Sequence, residues 1–218
     1  MDARLLAWAR AVSRRRNRPP CLPPLWLFTD ARRLPDPRPV VARLPKDLAG
    51  VVLRHDTDPE RAALGRDLAR LCRARRLKLV VAGNPRLAVA LGAGMHLRAG
   101  RWPAGAPIPP RRRGTLLTSS AHSAADLRRA AHAGADLAFL SPAFATKSHP
   151  KAAALGPLRW ARLARGAAFP KAAQPQTARP KAVLHVAALG GIGGASVRRL
   201  PRDLCRGAGA IEALADKS

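Results

Sequence analysis

The sequence predicts an α/β protein built as a single (β/α)8 TIM-like barrel, and three observations carry that prediction. Eight short apolar runs alternate with helix-like stretches along 218 residues, the pattern of parallel strands joined by helical crossovers. Polar blocks follow the fifth, sixth and seventh runs, where a parallel barrel collects its strand ends on one face. The length and the 47% hydrophobic content suit one core, since α/β barrels of about 200–250 residues fold as a unit. A doubly wound sheet is the weaker alternative.

The first element is a helix over 2–16, with Leu5, Leu6, Ala9 and Val12 on one face, stopped by the Pro-rich segment Arg18–Pro24. Leu25–Thr29 is the first strand and Val51–Arg54 the second. Asp58 then supplies an N-cap and Pro59 a first helical position. Leu64, Leu68 and Leu71 form the buried stripe of that helix through Arg75. Leu77–Ala82 is the third strand, Leu87–Leu91 a short helix and Gly94–Leu97 the fourth strand, followed by a Pro-, Gly- and Arg-rich loop over 98–113.

Gly114–Ser119 is the fifth strand, and Ser123-Ala-Ala-Asp126 has the form that caps a helix, which Gly134 ends. Asp136–Leu140 is the sixth strand, Leu158–Arg165 a helix, Gly166–Pro180 an insertion, Val183–Leu189 the seventh strand and Gly209–Leu214 the eighth. Almost no chain follows, so the last helix is missing or shortened. The division is therefore an N-terminal helix and linker over 1–24 and a barrel over 25–218. The extra helix either covers the bottom of the barrel or replaces the missing element.

Composition narrows the classes of function. Three widely spaced cysteines, Cys21, Cys72 and Cys205, form neither a disulfide framework nor a zinc motif. No leader pattern or membrane-length apolar run is present, so the expectation is a soluble cytoplasmic protein with no membrane partner. The net charge of +27 and clusters such as Arg14–Arg16 and Arg111–Arg113 suggest nucleic acid. Against that, arginine far outnumbers lysine, alanine is abundant and tyrosine is absent, a bias that a GC-rich coding sequence produces by itself. With four Phe and four Trp there is little aromatic surface for stacking bases. No dedicated nucleic-acid partner is expected; a small anionic substrate would still be drawn to this surface.

Chemistry gathers in three blocks. Thr118-Ser-Ser-Ala-His-Ser123 places hydroxyls and the His122 imidazole where a strand meets a helix, and an imidazole titrating near neutrality suits proton transfer. Its bland reading is that Ser123 is a helix cap and His122 an exposed loop residue. Thr146, Lys147, Ser148 and His149 carry donors suited to an anion, or form a solvated loop. Gly190-Gly-Ile-Gly-Gly194 lets the backbone approach a phosphate, or is a simple turn.

The ordered blocks Leu-Phe-Thr-Asp30, Val-Val-Leu-Arg54, His96-Leu97, Ser-Ala-His-Ser123, Ser-Pro-Ala-Phe-Ala-Thr146 and Leu-Gly-Gly-Ile192 resemble the thiamine phosphate synthase/TenI superfamily over most of Leu25–Leu214. The resemblance implies a thiamine-biosynthesis protein that binds a thiazole phosphate at the C-terminal face of the barrel. Such a protein either condenses it with hydroxymethylpyrimidine diphosphate, with Mg2+ on the leaving pyrophosphate, or tautomerises a thiazole carboxylate phosphate by acid/base catalysis. The implied site is His122 for proton transfer, with Arg54, Ser120, Thr146, Ser148, His149, Gly190 and Gly191 binding substrate.

Departures from the family pattern divide that site. Asp56 stands where the synthase has a lysine, and Ala82-Gly83-Asn84 stands where it has Asn-Asp-Arg. The segment 78–94 contains no Asp or Glu, so oxygen ligands for a hard cation are missing there. His149 replaces a lysine, and Glu212 falls where a phosphate-binding serine is expected. The thiazole half survives better than the pyrophosphate half, which fits the tautomerase better than the synthase. Mg2+ is implied only if synthase activity is retained, and no metal-binding residue is assigned. The partner is a small phosphorylated heterocycle, with homo-oligomerisation left open. A third reading, from another class, is a catalytically degenerate barrel that binds such a phosphate or serves as a scaffold.

Overall fold

The eight apolar runs become eight short strands: β1 (Leu25–Phe28), β2 (Ala49–Leu53), β3 (Lys78–Ala82), β4 (Gly94–Leu97), β5 (Leu117–Ala121), β6 (Leu137–Leu140), β7 (His185–Leu189) and β8 (Cys205–Ala210). Each pairs in parallel with the next, and β8 closes on β1. The computed structural model describes residues 1–14, 22–106, 114–146, 153–168 and 183–215. The predicted (β/α)8 barrel is the observed fold.

Side-chain alternation sorts each strand into two cores. Trp26 and Phe28 of β1, Val52, Val80, Leu137, Phe139 and Ala187 form a buried cluster in the barrel interior. Residues of the opposite parity, such as Leu27, Val51, Leu53, Val81 and Leu140, pack under the helices. The interior is filled by aromatic rings meeting edge-on, Phe28 with Phe139 at 4.8 Å and Trp26 with Phe139 at 5.5 Å between centroids. Such bulk needs glycine opposite it: a Cβ on Gly50 would lie 2.6 Å from the Trp26 ring.

The outer elements are α1 (Ala3–Ser13), α2 (Arg38–Arg43), α3 (Arg61–Ala74), α4 (Pro85–Ala90), α5 (Ala124–His132), α6 (Gly156–Ala168), α7 (Gly194–Val197) and α8 (Glu212–Ala215). Local chemistry sets several starts. Asn84 caps α4 by accepting the N–H of Leu87 at 2.9 Å, and Ser123 caps α5 by accepting that of Asp126 at 3.2 Å. The expected cap at Asp58 is displaced. Its carboxylate accepts the N–H of Glu60 at 2.8 Å in a turn, and α3 begins later, at Arg61.

Three further expectations change. The eighth strand lies at Cys205–Ala210, ahead of the expected Gly209–Leu214, whose end is helix α8. Small residues hid it, and at Gly209 the Phe28 ring demands one, since a Cβ there would lie 2.8 Å from that ring. Helix α2 was not expected at all. Finally, α1 does not cover the bottom of the barrel. It packs on β8 and α7, where a longer final helix would lie, burying Leu5, Trp8, Ala9 and Val12. The expected insertion Gly166–Pro180 begins inside α6, and its residues 169–180 lie outside the described ones. No helix among the described residues is long and apolar enough to cross a membrane.

Candidate active site at the C-terminal face of the barrel

The inward parity of the strands continues past their C-terminal ends, so Arg54, Arg98, Ser120, His122 and Ser141 line one cleft of about 1350 Å³. Its floor is the top of the aromatic interior. There His96 is buried 5.7 Å edge-on to Phe28, with Nδ1 2.9 Å from Thr118 Oγ1. Burial pushes the His96 pKa down to about 3, helped by the Arg54 and Arg98 guanidiniums, so the ring is neutral at ordinary pH.

His122 stands exposed at the mouth of the cleft, one residue past β5. Its backbone N–H donates to Asp126 Oδ2 at 2.8 Å, and its Nδ1 lies 3.0 Å from Ser141 O and 3.3 Å from Ser141 Oγ. A carbonyl oxygen can only accept, so the bond to Ser141 O places the ring proton on Nδ1 and leaves the Nε2 lone pair unused by it. Burial alone would raise the Asp126 pKa. Bonds from the His122 N–H and Ser123, with the Arg129 charge, instead hold it below the usual carboxylate range.

The serines of β5 act on the neighbouring loop. Ser119 Oγ accepts the N–H of Gly100 at 2.8 Å, and Ser120 Oγ accepts that of Ala99 at 3.0 Å. Arg129 Nε donates to Ala99 O at 3.0 Å. These bonds hold Ala99 at φ +50°, a left-handed conformation that costs a non-glycine residue about 1–2 kcal/mol. Ser120 lines the cleft, and its oxygen accepts an N–H of the turn that presents Arg98.

Across the cleft from the glycines, charge is concentrated. Asp56 meets Arg98 at 2.5 Å and Arg61 at 3.1 Å, while Arg54 stands 3.8 Å from Asp30. Arg61 is largely buried and also donates to Ala82 O at 2.6 Å.

The glycine loop is held by close packing and by hydrogen bonds. Gly190 and Gly191 have φ of +88° and +63°, and a Cβ on Gly191 would run into Ala145 O and lie 2.8 Å from Phe144 Cβ. The loop after β7 thus packs flush on the loop after β6, which carries Thr146 to the cleft. Ser196 Oγ accepts the N–H of Gly193 at 2.9 Å and donates to Gly191 O at 2.8 Å. Asp2 Oδ2 takes the N–H of Gly194 at 2.6 Å. The N–H groups of Gly191 and Ile192 have no hydrogen bond among the described residues. Glu212 also lines the cleft, with its charge met by Arg33 at 3.0 Å.

The Mg2+ implied by the synthase resemblance needs several oxygen ligands. Among the described residues no three His, Cys, Asp or Glu side chains come together to hold a metal ion. Asp56 is occupied by two guanidiniums, and Asp30 accepts the N–H groups of Arg32 and Arg33, each at 3.1 Å. This donor set does not fit a divalent cation.

Of the expected site residues, the cleft brings together Arg54, Ser120, His122, Thr146, Gly190 and Gly191, while Ser148 and His149 lie outside the described residues. Sequence reasoning assigned no role to Arg98, Ser141 or the segment Met1–Arg4, which also line the cleft. Strand parity could have found Arg98 and Ser141, each one residue past a strand. Nothing local signals Met1–Arg4.

The family described as thiamine monophosphate synthase matches residues 29–214. No curated protein matches the chain significantly. Among solved structures, a thiamine phosphate pyrophosphorylase from Pyrococcus furiosus superposes with a TM-score of 0.65 at 21% identity, over 88% of each chain. An HpcH/Hpal aldolase/citrate lyase family protein from Burkholderia cenocepacia superposes with a TM-score of 0.57 at 14% identity, over 94% of this chain and 92% of that one. At these identities the superpositions show the barrel fold alone.

Proposed function

Because the chain belongs to the thiamine monophosphate synthase family, we propose that its cleft binds a phosphorylated thiazole and that His122 moves a proton on that ring. The bond of His122 Nδ1 to Ser141 O, 3.0 Å long, carries this reading. It fixes the tautomer in which Nε2 is a base, on a ring that lines the cleft. Nε2 takes a proton from one ring position, the resulting imidazolium returns it at another, and the thiazole becomes aromatic with no net gain or loss of protons. The N–H groups of Gly191 and Ile192 suit the phosphate, with Thr146 beside them.

Condensation with hydroxymethylpyrimidine diphosphate is less well served, because among the described residues the carboxylates it would need for Mg2+ are missing or held by arginines. The test is to incubate the protein with the non-aromatic thiazole carboxylate phosphate in D2O and follow aromatisation and deuterium uptake by NMR. Tautomerisation is expected, and His122→Ala should slow it by about 100-fold or more. Thiamine phosphate formed from both substrates with Mg2+, and not with EDTA, would replace this reading by the synthase. Saturable binding of thiazole phosphate with neither activity would leave a binding barrel.

A further inference from the structure

The glycine side of the cleft carries a cation that the barrel itself does not supply. Asp2, Arg4, Gly191, Ile192, Gly194 and Glu212 all line it. Both carboxylates are already answered, Asp2 by the N–H groups of Arg4, Leu5 and Gly194, and Glu212 by Arg33 at 3.0 Å. Arg4 is exposed, and its guanidinium makes no hydrogen bond or ion pair among the described residues. A Cβ on Gly194 would run into Arg4 Cβ, so the first turn of α1 lies flush on the end of the glycine loop. The Arg4 charge is felt at the Asp2 carboxylate, whose pKa it helps to lower, and Asp2 Oδ2 sits 2.6 Å from the Gly194 nitrogen. Ile192 is only two residues from Gly194, at most about 7 Å along the chain, a distance that an arginine side chain spans.

We propose that Arg4 is a substrate-binding residue brought to the barrel by the N-terminal helix: its guanidinium receives the ligand's phosphate together with the Gly191 and Ile192 N–H groups, and so makes the cleft select a phosphorylated heterocycle over its alcohol. The inference rests on the reading of the cleft as one for a phosphorylated thiazole, and it supplies the charge which that reading needs. Neutral N–H donors alone would hold a dianion near two carboxylates, Asp2 and Glu212. A guanidinium offsets that repulsion and offers two parallel donors to phosphate oxygens. Asp2, by capping α1 and bonding Gly194, fixes the root of Arg4 at the loop.

The test is calorimetric titration of the full chain with thiazole phosphate, the matching thiazole alcohol and inorganic phosphate. Arg4→Gln, which keeps the backbone bond to Asp2, should weaken both phosphate-bearing probes by about tenfold or more and leave the alcohol unchanged. Arg4→Lys should recover part of that loss. Asp2→Asn removes the carboxylate charge beside Arg4 and should tighten the phosphate probes severalfold, a change that misfolding cannot produce. Equal affinity for thiazole phosphate in Arg4→Gln and the parent, or an equal loss for phosphate and alcohol, would overturn the inference and leave the phosphorylated-thiazole reading standing. If the parent does not bind thiazole phosphate, that reading falls instead and inorganic phosphate decides the role of Arg4: binding that Arg4→Gln weakens upholds its phosphate contact, and no binding, or binding that Arg4→Gln leaves unchanged, ends it.

Discussion

Asp2 Oδ2 accepts the backbone N–H of Gly194 at 2.6 Å, joining the first turn of the chain to the start of α7 across 192 positions. The other oxygen caps α1, accepting the N–H groups of Arg4 at 2.9 Å and Leu5 at 3.1 Å. One carboxylate thus fixes both the start of the N-terminal helix and its seat beside the cleft. Burial opposes its charge, but the three N–H groups outweigh that and lower its pKa.

Asp2→Ala should therefore destabilise the protein by about 1–2 kcal/mol, the range for a lost N-cap, as read by urea unfolding at neutral pH. Asp2→Asn, which keeps one acceptor oxygen, should lose less. Since the folded-state pKa is the lower one, the contribution is full above the unfolded carboxylate value of about 3.9 and disappears as pH falls through the folded value. The Ala variant and the parent should converge in stability at that acid end.

Gly191→Ala should be the costly substitution in the glycine loop. It combines a φ of +63° with a Cβ that would run into Ala145 O, a loss of about 1–3 kcal/mol. Gly193→Ala is the control, because its φ is −149° and the added Cβ would sit 3.6 Å from Asp2 Oδ2. That change should stay within about 0.5 kcal/mol in the same urea experiment.

His96 predicts a pH dependence of stability. Its folded pKa of about 3 lies below the unfolded value, so below about pH 6.5 the unfolded chain takes up a proton that the folded one refuses. The stabilisation is complete above that pH and is lost as pH falls toward 3, by about 1 kcal/mol per pH unit. His96→Asn, which retains a group able to bond Thr118, should remove this component. A parent and variant with parallel stability curves between pH 6 and pH 4 would show that the imidazole is not excluded from protonation.

The apolar runs and their breaks determined the barrel, because side-chain alternation and helix capping act over a few residues and are written where they act. Seven strands could be placed from sequence, and the cleft was legible as polar blocks at their ends. The eighth was misplaced because Cys205–Ala210 is nearly all small residues, and Gly209 among them is required by the Phe28 ring, which lies far away in sequence. Six of the eight named site residues reach the cleft, Arg54, Ser120 and His122 by strand parity and Thr146, Gly190 and Gly191 on the loops that follow β6 and β7. What the tertiary structure alone decided depends on closure of β8 onto β1 and on the packing of loops. These set the seat of α1 beside α7, the use of Ser120 to hold the Arg98 turn, and the pairing of Asp56 with Arg98. Each of these contacts joins segments far apart in sequence that meet only when the strands carrying them assemble, so no local pattern encodes it.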